Sequence, residues 1–418
     1  MEIIFSYLSF EHRYYCSLVC RRWYHAFHLP RVWSTFVFRD RLLSRRKYNL
    51  YMGWQYTLDH YRTHIFMSKF AKHIQTLVFS PMLNFFSLFG VMNMLGHFSE
   101  RNCNFLSQVH TLKFTFSCDM ADRTENAIYG TGGQMLKALQ DLMDNLEGLC
   151  HVELINLLLE SSEALYFLDG LCNNCSTKLH SLTLINTTKR PCQLLHPGVF
   201  LNLKLLYISP QNLGPDLIWL ISHTRLRHLH IVQNTYTEWG VSVDAKVWIN
   251  MVKQSRQIKV HLSSTGKPKN EIIWQERAPV SSILYESPYS KVTRELITTY
   301  LQILHVCSLN QFIQVSPSSV LTIIDLYRNT LETYGHLGQP RFHTSRSFVD
   351  RIDSAMITLV KECHKLHTLV NCMVHSLAFF EGFLRIPISI LMHFFLSWPF
   401  YLEIKDDNIE YSLTSYAQ

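Results

Sequence analysis

Residues that could carry chemistry are numerous in this sequence but dispersed. The chain has eleven cysteines and 22 histidines. Cys172 and Cys175 form a lone CxxC pair. A structural zinc site would need two further ligands at similar spacing, and a redox pair normally opens a helix that follows a strand. Because the sequence offers neither arrangement, we expect no metal site and no redox function from this pair.

Catalytic signatures are also missing from the sequence. There is no GxSxG, GxxxxGK[ST], GxGxxG or HExxH motif. A glycine cluster at residues 130–133 precedes a helical segment and could hold a phosphate at the helix N-terminus, although a flexible loop is the simpler interpretation. Cys150 and His151 are adjacent, and adjacent side chains on a helix do not face each other. We therefore expect no catalytic residue and no cofactor.

The composition points to an ordered protein. Of 418 residues, 47% are hydrophobic and only 17% are charged, which suits two domains or one repeat array with a large core. The cysteines are scattered and odd in number, as expected of free thiols in the cytoplasm or nucleus. No secretory signal is evident, and the uncharged stretch 78–98 fits a strand and a buried helix better than a membrane span.

Basic residues cluster near the N-terminus of a chain with net charge +7. The cluster comprises Arg21, Arg22, Arg31, Arg39, Arg41, Arg45, Arg46 and Lys47. It could bind nucleic acid or an acidic protein, but a solvated helical face is the simpler interpretation. Because the rest of the chain lacks dense Lys and Arg with interleaved aromatic residues, nucleic acid is not expected as a partner.

The first forty residues predict three short helical pieces. Ile4, Phe5 and Leu8 recur at helical spacing, a second apolar face runs through residues 15–27, and Pro30 marks a stop. Such a module is too small to hold a core by itself and usually needs a partner or a neighbouring domain.

The residues of this module resemble the F-box family. Residues 3–8 look like its first helix, residues 16–23 (Cys-Ser-Leu-Val-Cys-Arg-Arg-Trp) like its central signature, and residues 29–33 like its closing element. The family usually opens with Leu-Pro before the first helix, whereas this chain starts inside that helix, which indicates an N-terminally truncated module.

The resemblance implies docking on the Skp-type adaptor of a cullin–RING ubiquitin ligase. Interfaces of this kind bury aromatic and aliphatic anchors at a dry centre. Among the residues that match, Trp23 and Val19 are also expected to serve the core of the module. The resemblance assigns adaptor contact to Ile4, Phe5, Leu8, Leu18, Val19, Cys20, Trp23 and Trp33.

A loose strand motif recurs from about residue 71 onward. It places apolar residues at its first, fourth and sixth positions, every 25 to 40 residues or so. The clearest copies are Ile74/Leu77/Phe79, Val109/Leu112/Phe114, Leu179/Leu182/Leu184, Leu203/Leu206/Ile208 and Leu226/Leu229/Ile231. Helices are predicted between the copies at 133–146, 161–172, 214–223, 243–254, 291–304 and 349–363. Asn186 and Asn234 follow strands and are expected to turn the chain there.

This pattern predicts an α/β repeat fold. The expected organisation is a three-helix F-box over 1–40, linker helices over 41–70, and an irregular leucine-rich-repeat solenoid of strand–helix units over 71–418. An ordinary α/β domain with alternating strands and helices remains the alternative, since periodicity alone cannot exclude it.

Outward positions between the strand leucines would line one face of such a solenoid. These candidates for target binding are His110, Lys113, His180, Lys204, Tyr207, Arg227, His228 and His230. Such side chains suit an acidic or phosphorylated protein target. Together with these residues, the resemblance to the F-box family implies a non-catalytic substrate receptor of an SCF-type ubiquitin ligase. The alternative is a repeat scaffold whose degenerate F-box assembles no ligase.

Overall fold

The computed structural model describes residues 1–50, 53–102, 104–117, 130–238, 243–265, 275, 277–286, 306–310, 317–337, 353–371, 391–394, 403–405 and 408–410. The chain divides into two compact units, Met1–Leu226 and Arg227–Gln418. The predicted helix at 291–304 lies outside the described residues, as does most of the C-terminal segment. No described helix is long and apolar enough to cross a membrane.

The first unit opens with the predicted short helices. They are α1 (Glu2–Tyr7), α2 (Phe10–Ser17) and α3 (Arg21–Phe27), followed by a 3₁₀ turn at Pro30–Trp33. Ser9 caps α2 by accepting a hydrogen bond from the amide of His12. Pro30 starts the 3₁₀ turn, a position whose N–H would have no partner within the turn, so that proline costs no hydrogen bond there.

The segment 41–70 differs from the predicted linker helices. It contains an antiparallel hairpin, β2 (Ser44–Asn49) and β3 (Gly53–Leu58), and one helix, α4 (His60–Phe70). Asp59 caps α4 by accepting from the amide of Arg62. The hairpin was missed because its first strand is a basic run without alternating apolar residues. The boundaries at 40 and 70 stay a prediction.

A parallel sheet forms the body of the first unit. It begins within the N-terminal module, because β1 (Thr35–Phe38) pairs with β4 (Thr76–Phe79). Each later strand pairs with the one before it along the chain. These strands are β5 (Thr111–Thr115), β6 (His151–Ile155), β7 (Ser181–Ile185) and β8 (Leu205–Ile208).

Helices connect the strands from β4 to β7, as the period predicted, and a further helix follows β8. The connecting helices are α5 (Phe85–Arg101), α6 (Gln134–Asp144) and α7 (Ser161–Cys175), whereas a 3₁₀ turn at His196–Val199 lies between β7 and β8 and α8 (Pro215–Ile221) comes after β8. In α6 the buried Leu136, Leu139 and Leu142 recur at helical spacing on one face. The strand leucines are also buried and stand in register, so that Leu77, Leu112 and Leu182 belong to one row across the sheet.

The second unit repeats the same scheme. Its strands β9 to β15 are parallel, and each pairs with the preceding one. They are β9 (His228–Gln233), β10 (Lys259–Thr265), β11 (Val280–Glu286), β12 (Val306–Asn310), β13 (Thr333–Leu337), β14 (Thr368–Asn371) and β15 (Leu391–Phe394). Its described helices are α9 (Ala245–Gln254), α10 (Pro317–Tyr327) and α11 (Asp353–Glu362), and a small antiparallel pair joins β16 (Glu403–Lys405) to β17 (Asn408–Glu410).

Asparagines end two of the strands, as expected. Asn186 has a positive φ of 50°, and its side chain donates to Asn156 Oδ1 at 2.9 Å. The Ser209 hydroxyl in turn donates to Asn186 Oδ1 at 3.0 Å. Asn234 accepts from the amide of Tyr236, which closes a local turn. Asparagine suits position 186 because it tolerates a left-handed backbone, and it suits both positions because its side chain bonds to nearby groups.

Candidate functional site

A buried arginine holds the N-terminal module together. Arg13 lies on α2, and its guanidinium donates to the carbonyl oxygens of Phe5, Ser6 and Leu8 at 3.0, 2.9 and 2.9 Å. It also donates to the Val32 carbonyl at 2.6 Å, so one side chain joins α1 to the 3₁₀ turn. Carbonyls at the end of a helix lack partners within the helix and carry the negative end of its dipole; of those that Arg13 binds in α1, the Phe5 carbonyl also accepts from the Leu8 amide at 3.2 Å.

Trp33 is the centre of the module's aromatic core. It is fully buried, its indole N–H donates to the Phe27 carbonyl at 2.7 Å, and the Arg13 guanidinium lies 5.3 Å from its ring. Phe66 and Phe70 of α4 pack on it with ring centroids 5.0 and 4.5 Å away. The core of the module therefore includes side chains of α4. A module too small to hold a core by itself was expected to need a neighbouring element, and α4 is that element.

The eight predicted adaptor contacts do not share one environment. Ile4, Leu18, Val19 and Cys20 are exposed, with Leu18 and Val19 at 64% and 66%. Leu8 and Trp23 are half-buried. The exposed members lie on α1 and at the turn between α2 and α3. An exposed cluster of large apolar side chains is a feature of interaction surfaces.

Phe5 and Trp33 are placed differently from that prediction. Both are 1% exposed, and the Phe5 ring packs edge-on against Trp23 at 5.9 Å. They hold the module together and present no side chain to a partner in this structure. Val19, by contrast, was expected to serve the core and is exposed. Sequence spacing identified the apolar residues but could not tell the inner face of such short helices from the outer one.

A groove adjoins the exposed residue Leu18. It has a volume of about 410 Å³ and lies between α2, α3 and α4. Its lining is mostly aromatic, with Arg62 and Lys69 as its basic members; the other lining residues are Tyr14, Ser17, Leu18, Tyr24, Phe27, His28, Tyr61, Ile65, Phe66 and Phe70. The exposed apolar surface of the module thus continues into a concave region.

The predicted target-binding residues of the first unit lie together on one side of the sheet. His110, His180 and Lys204 directly precede strands, and backbone hydrogen bonds join the Cys150 amide to the His110 carbonyl and the Lys204 amide to the His180 carbonyl. Lys113 and Tyr207 belong to one register row, which also contains Glu153 and Thr183.

This strand face is less basic than the sequence indicated. The Lys113 ammonium lies 2.8 Å from the Glu153 carboxylate, so its charge is already paired. His151, which was not predicted, lies with its ring centroid 6.5 Å from that of His110 and 6.5 Å from that of His180. Burial lowers the pKa of His151, and its neighbour His110 lowers it further. At neutral pH the folded state therefore favours the neutral form of His151.

In the second unit, His228 and His230 come together with His261. The rings of His230 and His261 stack with centroids 4.3 Å apart, and His228 Nδ1 lies 3.0 Å from His261 Nε2. Burial lowers the pKa of His230 to about 3 and that of His261 to about 4. Arg227 is exposed beside this cluster. Within the described residues, no group of three or more His, Cys, Asp or Glu is placed to hold a metal ion.

The CxxC pair of Cys172 and Cys175 lies in surroundings that do not activate a thiol. Burial raises the pKa of Cys172 and of Cys175 to about 11, and both lie in the second half of α7, far from the helix N-terminus that would activate a thiol.

The loop at 130–133 is packed, contrary to the prediction of a flexible loop. Thr131 is fully buried and its amide donates to the Leu157 carbonyl at 2.8 Å. A Cβ added at Gly130 would clash with the Leu158 carbonyl oxygen, so the close approach requires glycine. The Glu163 carboxylate lies beside Gly132, so the position that a phosphate would take already faces a negative charge.

Comparison with known proteins identifies the N-terminal module. The F-box-like family model matches residues 2–39, so the chain carries an F-box-like domain at its N-terminus. Such a domain implies binding to a Skp-type adaptor in ubiquitin ligase complexes. No curated protein matches the chain significantly.

Two solved structures are similar in part. The yeast Rad7 and Elc1 complex matches at 14% identity over 73% of this chain and 87% of that chain, with a TM-score of 0.30. The complex of TLR13 with ssRNA13 matches at 13% identity over 69% of this chain and 39% of that chain, with a TM-score of 0.32. Scores this low say nothing about the partners of this chain.

Proposed function

We propose that the chain is the substrate-recognition subunit of an SCF-type cullin–RING ubiquitin ligase. Its F-box-like module binds the Skp-type adaptor, and its body binds a protein target. The observation that carries this proposal is the F-box-like match over residues 2–39, on a module that leaves several large apolar side chains exposed, Ile4, Leu18 and Val19 among them. The chain contributes proximity between ligase and target and catalyses nothing itself.

The adaptor surface consists of the exposed members of the predicted set. Ile4, Leu18 and Val19 are large, apolar and exposed. Burying them against a partner removes water from apolar area, and such anchors supply most of the energy of an interface. Phe5 and Trp33 contribute indirectly, since they hold the helices that present these side chains.

The proposal is tested by binding of the full chain to a Skp-type adaptor, measured by isothermal titration calorimetry. A triple variant, Ile4→Ala, Leu18→Ala and Val19→Ala, is expected to weaken binding at least about 100-fold, because hot-spot truncations cost roughly 2 kcal/mol or more each. Leu201→Ala is the matched control, since Leu201 is 64% exposed in the body. It should bind as the wild type does.

Circular dichroism must show that all variants keep the wild-type fold. If the folded wild type does not bind the adaptor, the ligase proposal fails and the degenerate-scaffold alternative takes its place. If the triple variant binds as the wild type does, the adaptor surface has been assigned to the wrong residues.

We propose, further, that the body is an irregular leucine-rich-repeat solenoid over about 71–418 and that the protein acts in the cytoplasm or nucleus. The solenoid is supported by consecutive parallel strands whose apolar residues stand in register, with α5, α6 and α7 between the strands from β4 to β7. Its exposed strand side would bind the target, through Lys204 and the imidazoles of His110 and His180 in the first unit. Arg227 is the corresponding exposed cation in the second unit.

A further inference from the structure

The hairpin of β2 and β3 combines cations and aromatic rings in a way the sequence did not reveal. Arg45, Arg46 and Lys47 are exposed on β2, and between Arg41 and Leu58 the sequence contains no Asp or Glu. The hairpin lies outside the residues matched by the F-box-like family. A solvated helical face is the simpler interpretation of the basic cluster from sequence, but three of its eight residues lie on a strand.

The aromatic residues of the hairpin share one face. Arg46 is opposite Tyr56 and Tyr48 is opposite Trp54, so these four side chains point to the same side because strand residues alternate. Trp54 is 61% exposed, and its ring lies 5.4 Å from that of Tyr48. The Arg46 guanidinium lies 5.0 Å from the Trp54 ring. Arg45 and Lys47 occupy the opposite face.

Nearby carboxylates do not neutralise these cations. Asp40 accepts from the amides of Leu83 and Asn84 at 2.8 and 3.3 Å, and Asp59 caps α4. Among the described residues, no carboxylate forms an ion pair with the cations of the hairpin.

The hairpin is fixed at its base. Leu58 is buried, the Asp59 amide donates to the Leu43 carbonyl at 2.9 Å, and the Asn84 side chain donates to the Tyr56 carbonyl at 2.6 Å. Because Asn84 also caps α5, the position of the hairpin is tied to that helix. The exposed rings and cations are therefore presented by a fixed element, which reduces the entropy lost when a ligand binds.

We propose that this hairpin binds single-stranded nucleic acid. Exposed aromatic rings provide stacking platforms for bases, and Lys and Arg beside them contact the phosphates. An acidic protein would be satisfied by the cations alone and gives no reason for exposed Trp54, Tyr48 and Tyr56 on the same face. This partner differs from the expectation drawn from the sequence, and it is independent of adaptor binding.

The test is fluorescence anisotropy of the full chain with labelled 12-nucleotide oligo(U) and oligo(dT), titrated at several salt concentrations. We expect affinity in about the micromolar range, with a logarithmic salt slope near −2 to −3 for three to four neutralised phosphates. Trp54→Ala should weaken binding roughly 5- to 100-fold and leave that slope unchanged. Arg41→Gln with Arg46→Gln removes the two cations that lie over the rings of Tyr56 and Trp54, so it should weaken binding and reduce the slope by about 1.4.

Two control variants are matched to these changes. Trp219→Ala removes a tryptophan that is 60% exposed on α8, and Lys189→Gln with Arg190→Gln removes two exposed cations from the body. Both should bind as the wild type does, with unfolding curves that match it. A preference for oligo(U) or for oligo(dT) identifies RNA or DNA as the ligand.

The proposal is overturned if the folded wild type binds neither oligonucleotide at low salt, or if the control variants lose as much affinity as the hairpin variants. It also fails if Trp54→Ala binds as the wild type does while poly-glutamate competes fully, because the hairpin would then be an electrostatic surface for acidic proteins. Binding to phosphatidylserine vesicles without binding to oligonucleotides would assign it to membranes instead.

Discussion

Arg13 shows how a single side chain can determine whether a small helical module is formed. Its four hydrogen bonds reach carbonyls that are five to 19 residues distant in the sequence, across α1, α2 and the 3₁₀ turn. A guanidinium can do this because its donors spread in a plane. Burial lowers the pKa of Arg13, and the carbonyl oxygens replace the hydration that the cation loses.

Replacing Arg13 is expected to unfold the module before the body. Arg13→Met leaves buried carbonyls without donors and should lower the free energy of unfolding by about 3 kcal/mol. Arg13→Lys should recover little of this loss, because an ammonium cannot reach both ends of the network. Urea denaturation followed by tryptophan fluorescence measures both values, since Trp23 and Trp33 lie in the module.

Arg22→Met is the control for this prediction, because Arg22 is exposed on the neighbouring helix. Its effect should stay within about 0.5 kcal/mol. Equal effects of the two methionine variants would show that the Arg13 network contributes nothing to stability.

At the scale of single elements, the turn after each strand is as important as the strand itself. Asn186 is fully buried with a positive φ, and its side chain connects the turn after β6 to Ser209 after β8. The asparagine therefore aligns three successive strand ends in the first unit.

Asn186→Ala should lower the free energy of unfolding by about 3 kcal/mol, because it loses buried hydrogen bonds and strains a left-handed backbone. Asn186→Gly relieves the strain but not the lost bonds, so its loss should be smaller by about 1 kcal/mol. Thermal or urea denaturation of the full chain measures this order. Asn173→Ala is the control, because Asn173 is exposed on α7. If Asn186→Gly is less stable than Asn186→Ala, the positive φ of residue 186 does not strain the alanine variant, and the interpretation is contradicted.

The strands of this fold could be predicted where their apolar residues alternate. Leu179, Leu182 and Leu184 predicted β7 because each points to the core. Strand β13 was missed, since its Thr-Tyr-Gly-His-Leu sequence carries little of that pattern.

The candidate site was predicted less completely, because its geometry depends on long-range contacts. Spacing identified Leu18 and Trp33 alike, but only packing against α4 places one outside and the other inside. Likewise, no local pattern pairs Lys113 with Glu153, which are 40 positions apart. The hairpin could not be predicted because a run of basic residues does not distinguish a strand from a helix.

At the scale of the whole molecule, histidines with a lowered pKa occur in both units. His151 belongs to the first unit, and the stacked His230 and His261 belong to the second. Lys259 and Arg227 add positive charge near His228 in the second unit, and Lys113 does so near His151 in the first. In each case the folded state favours the neutral imidazole.

The chain should therefore lose stability as pH falls below neutrality. An unfolded histidine has a pKa near 6.5. In the folded state the pKa of His230 is about 3 and that of His261 about 4. Between these values the unfolded state binds more protons, so the stabilisation is complete above about pH 6.5 and is lost as pH approaches 4.

Thermal unfolding from pH 7.5 to 4.5 tests this dependence. The midpoint temperature of the wild type should fall with pH, and the difference between wild type and His261→Gln should shrink with acidification, because glutamine cannot take up the proton. Exposed His97→Gln on α5 controls for the loss of an ordinary imidazole and should keep the wild-type profile. If the His261→Gln profile runs parallel to that of the wild type across this range, the acid sensitivity arises elsewhere, in carboxylates that lose their partners when protonated.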